Sequence, residues 1–409
     1  MTRHIGRIVA FVLVGVLVAA GLLGGGWWLG RRGQAPPAAS SVTTARTTTP
    51  APGTTRPPAT TARPAPGARP SVGTWSRLPA APLPAGDYDG AWTGTELIVN
   101  GISYQQRADV PVPRSVGAAY NPATGRWRRL PSAPGRVQSI EGGYRVAWTG
   151  RELLGWGLGL NVAYNPAKNT WRRLAGAGSL GAPSIVVWTG RQVLTWGGGC
   201  CGENSDRGAV YTPASNTWGR LPRSPLAGRH TTGAWTGREL IVAGGTDDEV
   251  VFRDAAAYNP ATRTWRRLPA MPAARAGGTA TWDGTEVLVV GGHGTTGRPA
   301  ADGVAYNPAS NTWRRLPSMG ITRELHTAVW TGSRLLVWGG TTGRPGVPTT
   351  PPHGVAYDPA ANRWSALPTA PLSGRIGHLA VWTGRSMLLW GGTVVRAGGH
   401  SDDGAAYTP

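Results

Sequence analysis

Lysine, cysteine and phenylalanine are nearly missing from this chain. Its 409 residues hold one Lys (Lys168), two Cys and two Phe. The two Cys are adjacent, Cys200 and Cys201, which excludes a disulfide framework and a four-Cys zinc site. Acids are scarce: 20 Asp and Glu against 41 Lys and Arg leave a net charge of +21. After residue 71 no stretch shows helical periodicity. With 62 Gly and 36 Pro, which weaken helix interiors, the composition disfavours a helical bundle. No Ser-His-Asp order, metal-ligand spacing or phosphate loop is present.

The ends differ from the rest. Residues 8–30 carry no charge and end on Trp27, Trp28 and Leu29. As a helix they would span roughly 34 Å, enough for the apolar core of a bilayer, with the two Trp at its interface. A cleaved signal peptide has a shorter apolar core, about 7–15 residues. The sequence predicts a short cytoplasmic tail over 1–7 and one transmembrane signal-anchor over 8–30. Arg3 and Arg7 before the span nearly balance Arg31 and Arg32 after it. The extracytoplasmic placement of the remainder therefore rests on the N-terminal position of the span and on the secreted character of the segment after it. That segment, residues 31–70, is rich in Ala, Thr and Pro and too poor in apolar surface to offset the entropy of ordering. It is expected to be a disordered linker.

Residues 71–409 are a repeat. One element reads Trp-Thr/Asp-Gly before an apolar run, with its Trp at 92, 148, 188, 235, 282, 330 and 382. A second reads Tyr-Asn/Thr/Asp-Pro, four residues, then Trp at 127, 171, 218, 265, 313 and 364. The mean period is about 48 residues, in the range of propeller blades. Each repeat reads as four short strands, the second apolar on both faces as a strand sandwiched between blades must be. There are seven copies of the first element and six of the second. The chain stops at Ala406-Tyr407-Thr408-Pro409, a third strand without a fourth, while Thr74-Trp75-Ser76-Arg77-Leu78-Pro79 is a fourth strand without a blade. The N-terminal strand is therefore expected to complete the last blade and close the ring.

The double Gly after strand two (Gly197-Gly198, Gly244-Gly245, Gly291-Gly292, Gly339-Gly340, Gly391-Gly392), the later Tyr and the Trp at fixed spacing resemble the kelch motif. Kelch proteins form β-propellers, so the resemblance implies an all-β, seven-bladed kelch-type β-propeller over 71–409. Blades one and two depart from the doublet, with Asn100-Gly101 and Trp156-Gly157-Leu158-Gly159.

The 18 Trp of the domain all fall in repeat positions, which reads as inter-blade packing. In an up-and-down blade, turns 1–2 and 3–4 share one face and loops 2–3 and 4–1 the other. The loop face has 14 basic and 14 acidic residues; the turn face and rim have 19 and 6. The strand-four pairs Arg128-Arg129, Arg172-Arg173, Arg266-Arg267 and Arg314-Arg315 supply much of that excess and read as protection of an exposed edge. Attraction to an anionic surface, membrane or wall polymer, is the other reading. Nucleic acid is not expected as a partner.

Loops 2–3 vary widely in length, and variation on one face of a repeat scaffold marks a binding face. Entering strand one, loop 4–1 carries Arg229, His230, Arg275, Arg323, His326, Arg375 and His378. The expectation is a ring of guanidinium and imidazole groups at the channel mouth that binds a carboxylate, sulfate or phosphate, with Asp87, Asp89 and Glu324 offsetting the charge. The alternative is loop scaffolding, each Arg and His bonding its blade neighbours. Outside the cytoplasm Cys200 and Cys201 are expected to form a vicinal disulfide.

The leading functional reading is a membrane-anchored extracytoplasmic binding protein for a protein or acidic glycan, without cofactor or metal, with binding preferred over catalysis. Enzymatic alternatives come from the same resemblance. A sialic acid mutarotase-like enzyme would use a His base and an Arg clamp. Galactose-oxidase-like copper chemistry would draw on Tyr88, Tyr104, Tyr144, His326 and His378.

Overall fold

The computed structural model describes residues 73–84, 86–107, 110–135, 137, 144–157, 159–176, 183–199, 204–342, 349–395 and 398–409. The expected signal-anchor over 8–30, the linker over 31–70 and the pair Cys200–Cys201 lie outside the described residues. Among the described residues there are seven four-stranded antiparallel sheets, each a blade, and one two-stranded extra pair, Thr393–Val394 with Gly399–His400.

Each blade is wound from its own turn chemistry. Between strands one and two the Thr after the Trp folds the chain back: Thr149 Oγ1 accepts from the amides of Arg151 (3.3 Å) and Glu152 (2.9 Å). Gly150 follows at φ 85°, the left-handed region that favours glycine. Between strands three and four, Asn259 Oδ1 accepts from Ala261 N at 2.9 Å, an Asx turn.

The ring closes as the strand count predicts. Thr74–Arg77 pairs with Gly404–Thr408 in the order Thr74↔Thr408 to Arg77↔Ala405. That sheet runs Thr74–Arg77, Gly404–Thr408, Met387–Trp390, Leu379–Trp382. It is blade seven, built from both ends of the repeat region.

The core lies between blades. Ile241 and Ala257 of blade four pack with Val287, Val289, Val304 and Tyr306 of blade five. Leu388 and Trp390 of blade seven pack with Leu97, Val99 and Tyr120 of blade one. Equivalent clusters fill the other five interfaces. Each strand-four indole also donates to a carbonyl just beyond strand four of the preceding blade. Trp127 reaches Pro79 O at 3.0 Å, Trp265 reaches Pro222 O at 3.0 Å, and Trp75 reaches Pro368 O at 2.9 Å. With Trp171, Trp218, Trp313 and Trp364 the circuit runs through all seven interfaces. The tryptophans are packing elements, as their repetition implies.

The first Arg of each strand-four pair corrects the edge-protection reading. Arg128 makes a two-pronged bond to Glu96 (3.0 and 2.7 Å) and donates to Tyr164 Oη (2.9 Å) and Asn169 Oδ1 (3.2 Å) of blade two. Arg266 and Arg314 repeat this with Glu239 and Glu286, and with Asn311 and Asn362 of the following blades. Arg172 pairs with Glu152. These side chains are inter-blade clamps; only the second Arg of each pair is left exposed at the rim.

Candidate functional site

Loop 4–1 crosses over the double Gly of the preceding blade. Gly292 N donates to Arg323 O (2.7 Å), Gly245 N to Arg275 O (2.7 Å) and Gly340 N to Arg375 O (2.9 Å). A Cβ at Gly291 would stand 2.5 Å from both Arg323 O and His326 Cε1, so the doublet is where one backbone passes under the next.

The arginines of these loops do not gather as free guanidinium groups. Arg229, Arg275, Arg323 and Arg375 are 1%, 4%, 0% and 1% exposed. Arg229 bonds Asp254 through both terminal nitrogens and stacks over Phe252, 3.6 Å from the ring centre. Arg275 Nη2 donates to Asp302 Oδ1 (2.5 Å) and Nη1 to Gly291 O (3.0 Å). Arg375 Nη1 donates to Asp403 Oδ1 (2.6 Å) and Gly391 O (3.1 Å). Each ties its loop to strands two and three of its own blade, so an incoming anion would have to displace an internal carboxylate. The physical reason is placement: Asp254, Asp302 and Asp403 stand directly before strand three and reach the Arg first.

Blade six breaks the pattern. His353 stands where the other three blades have Asp. Arg323 has only carbonyl partners, Gly339 O (2.6 Å) and His353 O (2.7 Å), and its Nε has none. Burial pushes its pKa down to about 10.

The histidines are equally internal. His326 is 5% exposed and bonds Thr279 Oγ1 of blade five at 3.1 Å. His378 is 4% exposed, bonds Thr327 Oγ1 of blade six at 2.7 Å, and meets Trp338 edge-on at 4.9 Å. Burial first, then the neighbouring Arg323 and Arg375 charges, hold their pKa values down at about 3. The rings are neutral at physiological pH. His230 is half-buried and opens strand one of blade four opposite Thr246.

The acids expected at the mouth are also committed. Asp89 accepts from the amides of Gly90 (2.8 Å) and Val146 (3.0 Å), and burial raises its pKa despite the opposing charge of Arg145. Glu324 accepts from Thr341 Oγ1 (3.3 Å) and pairs with His293 Nδ1 (2.7 Å). Asp87 alone stays largely open, 3.8 Å from His400. Tyr88 donates to Pro84 O and Tyr144 to Asn100 Oδ1, each at 2.5 Å, which takes both hydroxyls for the fold. Among the described residues no group of three or more His, Cys, Asp or Glu is arranged to hold a metal.

Sequence reasoning did not single out three loop-face features. One is the His293–Glu324 pair, which needs two blades to form. A second is the exposed Val250, 49% accessible in loop 2–3 of blade four. The third is a long hairpin in blade one, Leu97–Arg107 with Val110–Asn121. Strand one of that blade pairs only as far as Ser103, so Tyr104–Arg107 and Val110–Pro113 pair with each other alone. This ribbon stands on the loop face. Its signal was the low Gly content and alternating Val-Pro of 110–113.

Residues 231–272 and 274–320, blades four and five, match the kelch motif family model. No curated protein matches the chain.

Proposed function

We propose that the chain, a kelch-repeat β-propeller, is a protein-binding scaffold whose partner sits on the loop face. The observation that carries this reading is the contrast between the two faces. Every turn 1–2 is short and built alike. Connections 2–3 range from the tight link between Gly157 and Leu160 to the long one between Trp338 and Gly354, and include the blade-one ribbon. A ring of invariant geometry with one irregular face is how repeat scaffolds present a binding surface. The buried Arg and His groups hold that surface in shape and are not its contacts. The exposed groups are the contacts: Val250, Arg253, Asp87 and His353.

We further read residues 8–30 as a membrane anchor, with the propeller extracytoplasmic and an acidic glycan as a second class of ligand. Fractionation of the full chain with membranes, and a mature N-terminus at residue 1 rather than near 35–40, would support the anchor. Photocrosslinkers placed in living cells at Val250, Arg253 and His353 should give the same protein adduct. Probes at the exposed turn residues Thr262 and Ser310 should not give it. An adduct formed from the turn probes alone would reverse the assignment.

A further inference from the structure

We propose that the turn face is a docking surface for an anionic lipid bilayer. The turn tips and the residues flanking them carry thirteen basic side chains against six carboxylates. Glu96, Glu152, Glu239 and Glu286 are held by the clamp arginines. Asp283 caps its own turn through the amides of Thr285 and Glu286. Asp358 accepts from Ala361 N and lies 3.9 Å from Arg334. No acid among the described residues of this face is left to mask the other cations, which include the exposed Arg151, Arg191, Arg238, Arg263 and Arg385.

These five come from four different blades and the charge is distributed round the ring. A distributed array of guanidinium groups suits a two-dimensional field of phosphates better than one small anion. The loop face, with its even count of acids and bases, offers no such field.

The path of the chain points the same way. Thr74 pairs with Thr408, and Tyr407 with Met387 just after turn 1–2 of blade seven. The chain therefore enters strand Thr74–Arg77 at the turn face. If residues 8–30 enter a bilayer, the face nearest to it along the chain is the cationic one, and the loop face is left free for a partner. This second argument rests on the anchoring reading; the charge argument does not.

The test uses residues 71–409, whose ring closes with its own strands. Vesicles of phosphatidylcholine alone, and with about a third phosphatidylglycerol, are sedimented with the protein at low and high salt. Binding is expected with phosphatidylglycerol only, and to disappear in high salt as screening shortens the reach of the charges. Replacing Arg151, Arg191, Arg238 and Arg385 together by Ala should leave the melting temperature in place and weaken partitioning at least 100-fold, each cation near an anionic leaflet being worth roughly fivefold. Absence of binding at low salt, or a quadruple variant that binds as before, overturns the proposal. So does binding to soluble polyphosphate that the vesicles fail to compete for, which would mark a soluble polyanion as the occupant. A transmembrane anchor would hold through a high-salt wash and the turn face would not, so release of the full chain from membranes by high salt counts against the anchor alone.

Discussion

Arg323 is a buried cation whose usual partner is absent. In blades four, five and seven the same position is neutralised by an Asp whose side chain is 35–39% exposed. His353→Asp should supply the missing carboxylate and stabilise the fold by about 1.5–3 kcal/mol, the range for hydrogen bonds to charged groups. The denaturant midpoint reads it, and an unchanged or lower midpoint would show that Arg323 is already satisfied. Asp302→His in blade five should cost a comparable amount. The two buried histidines make a second prediction. Their rings stay neutral in the fold down to about pH 3, while in the unfolded chain they take up a proton near about pH 6.5. Protons thus favour the unfolded state between those values. Stability is complete above about pH 6.5 and falls below it, by up to about 1.4 kcal/mol per pH unit for each ring. Melting temperatures at pH 7.5 and 5 should differ accordingly, and His378→Gln should reduce the difference. The sequence located these side chains but not their surroundings. An Arg six or seven residues before a Trp reads as an open guanidinium until the Asp before strand three is placed beside it. That Asp was visible in three blades, as was the His that replaces it in the fourth.

At the scale of the element, the clamp is a unit of four residues spread over two blades: Glu from turn 1–2, Arg from strand four, then Tyr and the left-handed Asn from the next blade. Where the Arg is missing, at Gly219, Ser365 and Ser76, the matching position is also not a clamp Asn. Blade four has Arg263 (φ 56°), blade one has Gly125 (φ 65°), and blade seven ends before its turn. Grafting the unit onto the interface between blades three and four, with Gln192→Glu, Gly219→Arg and Arg263→Asn together, should raise stability by about 1 kcal/mol. The gain is modest because the existing clamp arginines are 36–40% exposed. Calorimetry of the triple variant checks it, and a lowered melting temperature would mean that Gly219 is there for packing. Apart from the long hairpin of blade one, the strands were legible in the sequence to within a residue or two, since Trp-Thr/Asp-Gly and Tyr-Asn/Thr/Asp-Pro mark their turns. The clamp was not, because the partners of each Arg stand 20–48 residues from it and an Arg-Arg pair on an edge strand has a simpler explanation.

For the ring as a whole, stability is shared by seven interfaces, and each buried cluster among the described residues draws on two neighbouring blades. Deleting residues 71–80 removes Trp75 and strand Thr74–Arg77 from blade seven, and with them the bond to Pro368 and the packing against Trp338 and Tyr407. Losing a large aromatic from a packed site alone costs on the order of 3–5 kcal/mol. The truncated chain should melt at least 10 °C lower in a single transition, as followed by tryptophan fluorescence. A retained melting temperature would mean that six blades stand without the seventh. Seven Trp-Thr/Asp-Gly elements with one strand displaced to the front made closure readable from the sequence. The distribution of roles between the faces was not, since it depends on which acids the clamps consume.

Thr74 and Thr408 are direct neighbours on adjacent strands, so the wheel has no inherent beginning. Joining residue 409 to residue 73 by a short bridge and opening the chain at an exposed turn, between Ser310 and Asn311 for instance, leaves every strand with the partners it has now. The order in which blades are synthesised belongs to the gene; in the folded ring each blade is only the one before its neighbour.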